Sequence, residues 1–260
     1  NILGFYLLKY FGVYVSSYLV LFIFLLPILL VYSVNKIEKL IIFTLHLPFL
    51  LVFISFIVFS IIVKDKNKEK EISLEIAQIF KPVNNANRSL VEKNIIDIIN
   101  NSNSEYLIFA ENNYPYLITD ISNLNILNHI EDNKRIIIGA SRLFNNKLYN
   151  SFLFLEKNNI QIYDKEILVP FGEFLPFRSY LKFMENISGN LDFVSGNKQR
   201  LVVTENINIL PIICYEIIFN QILQNINQNK IDVLINITND SWFGDKIGPY
   251  QHFYLARMRA

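Results

Sequence analysis

The sequence predicts an α/β domain of layered strands and helices preceded by transmembrane α-helices, and three observations carry that expectation. The first 63 residues are almost wholly apolar. From Ile72 onward, short apolar runs bounded by polar or turn residues recur along the chain, and amphipathic helical stretches stand between them. The 260 residues suffice for one sizeable soluble domain beside a membrane segment. The chain opens on Asn1 rather than Met and stops at Ala260 inside a helical pattern, so the expectation is a piece of a longer protein.

Residues 1–34 carry Lys9 as their only charge, and the run from Val13 to Val34 is long enough to cross a bilayer core of about 30 Å as a helix. A short polar loop, Asn35 to Lys39, separates it from a second apolar run, Leu40–Val63. Lipid offers no partners for unpaired backbone groups, so residues 1–63 read as a helical segment of about two spans. The immediate second span argues against a cleaved signal peptide. His46 and Pro48 fall inside the second span, where a histidine near a helix end reads as an interfacial residue. Residues 64–71 form a charged junction with four lysines against two in the inter-helix loop. By lysine count alone the junction faces the cytoplasm, although long domains translocate largely regardless of such counts.

In the expected domain, 72–260, buried strands are read at Tyr106–Ala110, Arg135–Ala140, Ser151–Leu155, Ile209–Ile213 and Val233–Ile237. Leu90–Ile99 sets Val91, Ile95, Ile98 and Ile99 on one helical face, and Ile218, Ile222, Leu223 and Ile226 repeat that spacing later. Glu156–Asn159 reads as a hairpin turn, which makes the sheet mixed. A net charge of +1 provides no basic patch to neutralise phosphates, so nucleic acid is not an expected partner. With one cysteine, Cys214, there is no intrachain disulfide framework.

Three polar residues stand at the ends of strand-like runs. Glu111 follows Tyr106–Ala110, Lys165 follows Ile160–Asp164, and Cys214 follows Ile209–Ile213 at the start of a helical stretch. Backbone N–H groups at a helix start lower a thiol's pKa and can hold an oxyanion. The plainer reading of each residue stands beside this: a lone cysteine after an apolar strand is also what core filler looks like. The sequence contains no G-x-S-x-G elbow, no Walker-type loop and no H-E-x-x-H. With His46, His129, His252 and one cysteine, no zinc site or Cys–His dyad is expected, and the base for Cys214 is read as a carboxylate.

At these residues the chain resembles a known family. Tyr163–Pro176, with Lys165 and Glu173 inside it, resembles the lysine segment of the apolipoprotein N-acyltransferases. Ile213-Cys214-Tyr215-Glu216 is similar to that family's nucleophile segment, and Asn236–Gly244 continuing through Gly248–His252 to its following strand and loop. The wider superfamily is the nitrilase-like carbon–nitrogen hydrolases, with Glu, Lys and Cys in this chain order.

The resemblance implies a nitrilase-like αββα sandwich whose catalytic residues are Glu111 as base, Lys165 as oxyanion stabiliser and Cys214 as nucleophile, with no metal and no cofactor. It implies that Glu173 and Glu216 hold Lys165 charged and oriented, and that Tyr215 supports the pocket. The partners implied are a phospholipid acyl donor, a diacylglyceryl-modified lipoprotein acceptor and the membrane. The implied location is the bacterial inner membrane, multi-pass, with the domain facing the periplasm. The family's glutamate follows Trp-Pro, replaced here by Phe109-Ala110, which leaves Glu105 as a second candidate. Where the family's domain start carries Gln-Asn, this chain has Gln78-Ile79. The family has about eight membrane helices against two here. Phe171, Phe174, Leu175, Phe177 and Tyr180 read either as an arm that contacts lipid or as a packed loop. Two other functions stay open at this stage: an amidase that hydrolyses small amides, and an inactive membrane remnant.

Overall fold

The computed structural model describes residues 2–62, 72–79, 87–181, 183, 191–197, 201–219, 222, 230–244 and 246–259. The chain divides into two compact units, Asn1–Lys70 and Glu71–Ala260. The expected junction at 64–71 lies outside the described residues, as do Leu223 and Ile226 of the helical stretch expected after the cysteine.

The first unit is a pair of helices, α1 (Ile2–Tyr32) and α2 (Lys36–Ile62). Tyr14–Tyr32 and Lys36–Ser55 are long and apolar enough to cross a membrane. Gly12, at φ +69°, interrupts α1 with a kink that residues bearing a Cβ seldom adopt. His46 is buried between the helices: its Nδ1 donates to the Ile42 carbonyl at 2.7 Å, and its ring stacks on Phe22 at 4.1 Å.

The second unit contains two sheets. The first orders β1 (Leu74–Ala77), β2 (Tyr106–Phe109), β3 (Arg135–Phe144), β4 (Lys147–Glu156) and β5 (Asn159–Asp164), parallel from β1 to β3 and antiparallel from β3 to β5. The second orders β6 (Val202–Val203), β7 (Asn208–Ile213) and β8 (Val233–Ile237), with β6 and β7 antiparallel and β7 and β8 parallel. The expected hairpin is present: Glu156 pairs with Asn159. A second hairpin joins β3 to β4 through Asn145 (φ +49°) and Asn146 (φ +57°). Asparagine tolerates positive φ, and a two-residue turn of that hand matches the twist of the strands it joins.

Strand alternation builds the layers. On β3 and β4, Ile136, Ile138, Leu153 and Leu155 face α3 (Arg88–Asn101), where Val91, Ile95 and Ile99 meet them. The intervening Ile137, Phe152 and Phe154 face the other sheet, and Ile209, Ile213 and Ile237 close on them from β7 and β8. The opposite face of β7, Leu210 and Ile212, packs with Ile217, Ile222 and Ala256, the last from α4 (Ile247–Arg259). Helix, sheet, sheet, helix follow in order. Strands buried on both faces are continuous apolar runs, which is why they stand out in the sequence. β5 and β8 are only partly buried; β1, four residues of which Leu74 and Ile76 are exposed, and β6, only two residues long, are not legible as runs.

One glycine in this frame bears on the site. Ala110–Asn112 crosses so close over Gly139 that a Cβ there would lie 2.4 Å from the Asn112 nitrogen, 2.5 Å from Glu111 Cα and 2.9 Å from the Ala110 oxygen. All three are backbone atoms that cannot swing aside. Gly139→Ala is therefore expected to destabilise the domain by about 1–3 kcal/mol, the range for overpacking, and to lower its thermal midpoint. An unchanged midpoint would mean that the turn bearing Glu111 moves freely.

Candidate active site

Each of the three strand-end residues sits where a buried strand runs out. Glu111 lies in the turn after β2, Lys165 directly after β5, and Cys214 directly after β7. All three are buried, Lys165 to 1% exposure, and they line one cavity of about 310 Å³. Its remaining walls include Val169, Pro170, Phe171, Phe193, Tyr215 and Phe243. A larger cavity of about 510 Å³ lies between β1, β2 and β8, but neither Lys165, Glu111 nor Cys214 lines it. Glu105, the other candidate base, is engaged with Arg135 at 2.7 Å and is absent from both cavity walls.

A buried ammonium is tolerated only with carboxylates beside it. Lys165 Nζ lies 2.9 Å from Glu173 Oε1 and 3.9 Å from Glu111 Oε1. Burial alone works against the charged form of Lys165, but Glu111, Glu173 and Cys214 together outweigh it, so the pKa stands above the ordinary lysine value. Asn150 from β4 keeps the two carboxylates apart while satisfying both: its Nδ2 donates to Glu111 Oε1 and to Glu173 Oε1, each at 2.8 Å. Glu111 Oε2 accepts from the Asn239 backbone amide at 2.9 Å, and Glu173 Oε2 from that of Val169 at 2.9 Å. For Glu111, burial prevails over the pull of Lys165 and the hydrogen bonds, so its pKa is raised and the carboxylate is a stronger base than in water.

Glu216 behaves differently from the expectation that it holds Lys165. It is fully buried and none of its hydrogen bonds goes to Lys165 Nζ. Its Oε1 accepts from Tyr163 Oη (2.8 Å), Glu166 N (2.7 Å) and Ile167 N (3.0 Å), and its Oε2 from Ile213 N (2.9 Å). One carboxylate thus ties the backbone that follows Lys165 to the residue before Cys214.

The thiol also departs from expectation. Cys214 opens a single five-residue turn of 3-10 helix, Cys214–Ile218, too short for a substantial helix dipole. Burial first and the Glu111 charge second push its pKa up to about 12, against the pull of Lys165 and Thr238, so the resting thiol is protonated at neutral pH. Its φ of +53° marks a sharp elbow between strand and turn. Tyr215 follows it, and its ring packs on Phe243 (5.2 Å) and His252 (5.1 Å).

The aromatic segment after Lys165 divides. Leu175 is buried and its amide donates to Asp192 Oδ1 at 2.8 Å, so this residue belongs to packing and not to a lipid-facing arm. Phe171, Phe177 and Tyr180 are exposed. Among the described residues, one grouping has metal-ligand chemistry: Cys214, Asp240 and His252, with ligand atoms within 4.8 Å of one another. There, both His252 ring nitrogens already engage protein acceptors. Sequence reasoning missed Asn150, the Asn239 amide and the Asp240–His252 pair. The signal for Asn150 is a polar residue at the start of the buried stretch Asn150–Leu155.

The family profile described as Carbon-nitrogen hydrolase matches residues 125–260, a span that includes Lys165 and Cys214 but not Glu111. The chain is 40% identical over 146 residues to an apolipoprotein N-acyltransferase of Rickettsia typhi (strain ATCC VR-144 / Wilmington), covering 53% of this chain and 29% of that protein. It is 40% identical over 178 residues to the enzyme of that name from Wigglesworthia glossinidia brevipalpis, covering 63% of this chain and 35% of that protein. The matched part thus spans about a third of those curated relatives. A solved carbon-nitrogen hydrolase from Helicobacter pylori G27 superposes with a TM-score of 0.49 at 12% identity, over 72% of this chain and 68% of that one.

The electrostatics make a direct prediction. Because the Glu111 charge raises the thiol's pKa, Glu111→Gln is expected to speed alkylation of Cys214 by iodoacetamide at pH 8, by about tenfold for each pKa unit released. Slower alkylation in a folded variant would show that Glu111 assists the thiol as a base more than its charge opposes the thiolate.

Proposed function

Since this chain belongs to the carbon-nitrogen hydrolase family, we propose that its Glu–Lys–Cys chemistry transfers an acyl chain from a phospholipid to the N-terminal amine of a diacylglyceryl-cysteine lipoprotein. The observation that carries this reading is the cavity of about 310 Å³, in which a thiol, two carboxylates, an ammonium and three asparagines meet a wall formed by Val169, Pro170, Phe171, Phe193, Tyr215 and Phe243. Such a site suits a substrate with a reactive ester at one end of a hydrocarbon chain.

In the proposed sequence, Glu111 takes the Cys214 proton as Sγ attacks the ester carbonyl. Negative charge moves to the carbonyl oxygen, where the Lys165 ammonium is fixed in advance and does not reorganise. Backbone N–H groups around Tyr215 are proposed to assist. Collapse of the tetrahedral intermediate expels the lysophospholipid alkoxide, which takes the proton from Glu111 and leaves a thioester. The acceptor amine then attacks that thioester, Glu111 removes its proton, and the departing thiolate regains one. A base raised above the ordinary carboxylate value serves both halves. Glu173 and Asn150 hold Lys165 and Glu111 in register, and Glu216 fixes the two loops to each other.

Both substrates live in a bilayer. The two long apolar helices and the exposed Phe171, Phe177 and Tyr180 support a site that works at a membrane surface. Tethering there replaces a search through water and contributes several kcal/mol of otherwise lost freedom. The proposed setting is the bacterial inner membrane with the second unit on the periplasmic side.

The test is a comparison of two turnovers in detergent: transfer from labelled phospholipid to a diacylglyceryl-cysteine peptide, and hydrolysis of small amides. The reading expects labelled peptide and no sustained amide hydrolysis. Steady amide turnover without label on the peptide would replace it with a hydrolase.

A further inference from the structure

We propose that His252 is a positioning residue for the nucleophile, held as a doubly protonated imidazolium between Asp240 and the backbone carbonyl of Cys214. The proposal rests on the reading of Cys214 as the reacting thiol. His252 projects from α4 and is 2% exposed, yet no step above uses it. Its Nε2 lies 3.1 Å from the Cys214 carbonyl oxygen, and its Nδ1 lies 2.7 Å from Asp240 Oδ1. A carbonyl oxygen can only accept, so Nε2 bears a hydrogen. A carboxylate also only accepts, so Nδ1 bears another. The Thr238 hydroxyl, 3.4 Å from Nδ1, has two acceptors for its one hydrogen, Asp240 Oδ1 at 3.3 Å and the Cys214 sulfur. Hydrogens on both nitrogens make the ring a cation. The aromatic surroundings suit one: the Tyr215 ring lies 5.1 Å away at 31° and the Phe243 ring 6.4 Å away.

The arrangement acts on the thiol twice. The ligand-capable atoms of Cys214, Asp240 and His252 lie within 4.8 Å of one another, which brings the positive ring beside Sγ. At such a separation, in a buried site, a cation favours the thiolate. The same ring holds the carbonyl of a residue whose φ of +53° is unfavourable for any side chain bearing a Cβ, and so fixes the direction of Sγ. Among the described residues, the titratable groups facing His252 are Asp240, from the 3-10 turn Asp240–Phe243 after β8, and Cys214 and Tyr215 from the turn Cys214–Ile218; Glu111 and Lys165 act on the same thiol from across the cavity. Asp240 by itself disfavours the thiolate; through its contact with Nδ1 it orients the ring that faces Cys214.

The experiment measures the rate of Cys214 alkylation by iodoacetamide at pH 8 on the full chain in detergent, with thermal midpoints recorded alongside. Alkylation needs no lipid, so its outcome is independent of whether acyl transfer is the true reaction. His252→Gln keeps a neutral donor toward the carbonyl and loses the charge; it is expected to react about tenfold more slowly at an unchanged midpoint. His252→Phe loses the donor as well and is expected to react more slowly still. Asp240→Asn is expected to slow the reaction where His252 is present, and to leave it equal or faster in a His252→Gln background. Rates within about twofold of the parent for both histidine variants would overturn the proposal. So would an Asp240→Asn effect of the same sign and size in both backgrounds.

Discussion

The second unit depends on one constraint: an ammonium group, Lys165 Nζ, is taken almost completely out of water. Desolvating such an ion costs several kcal/mol unless opposite charge and hydrogen bonds are supplied in good geometry. The supply comes from distant parts of the chain. Glu111 arrives on the turn after β2, Glu173 on the loop eight residues beyond the lysine, and Asn150 from the middle of the sheet between them. Much of the local architecture follows from bringing these groups together. Gly139 leaves room for the turn that carries Glu111, and Gly196 lets another segment approach so close that a Cβ would lie 2.3 Å from the Asp164 oxygen, beside Lys165. Glu216 then fastens the segment after Lys165 to the strand end that presents Cys214.

The consequence for reactivity is that no single group is active alone. With a pKa of about 12, the thiol is almost entirely protonated at neutral pH, and a protonated thiol is a poor nucleophile. The same burial that silences the thiol makes Glu111 a better base. In the proposed mechanism, attack is favoured when a carbonyl is in place, the proton can pass to Glu111 and the new negative charge forms beside Lys165. A buried, protonated thiol of this kind resists adventitious oxidation, which follows thiolate character.

The sheets are legible in the sequence where their strands are continuous apolar runs, fully buried as in most of β7 or half-buried as in β8. Val233–Ile237 coincides with β8, and Ile209–Ile213 lacks only the first residue of β7. Exposed or minimal strands such as β1 and β6 carry no such signal. The Asn145-Asn146 turn is a readable hairpin mark that apolar periodicity alone passes over. At the site, the three strand ends and Glu173 are visible because strand termini are where α/β folds present chemistry, and because the surrounding segments resemble a family. Asn150 shows only as a polar residue heading a buried run; the roles of the Asn239 amide and His252 are not visible, since they arise from convergence of residues up to 128 positions apart. The direction of the thiol's shift is misread from sequence because a helix start is visible there, whereas burial and a facing carboxylate are not.

The most direct test of the account is intact-mass analysis of the detergent-solubilised chain after incubation with phospholipid, comparing wild type with Cys214→Ser. A mass increase of one acyl chain on the wild type, removed by hydroxylamine and missing from Cys214→Ser, is the predicted result, because a thioester on Cys214 is the intermediate that the buried Glu–Lys–Cys arrangement is proposed to make. An adduct of equal size on both proteins, or no adduct on a folded wild type, would contradict it.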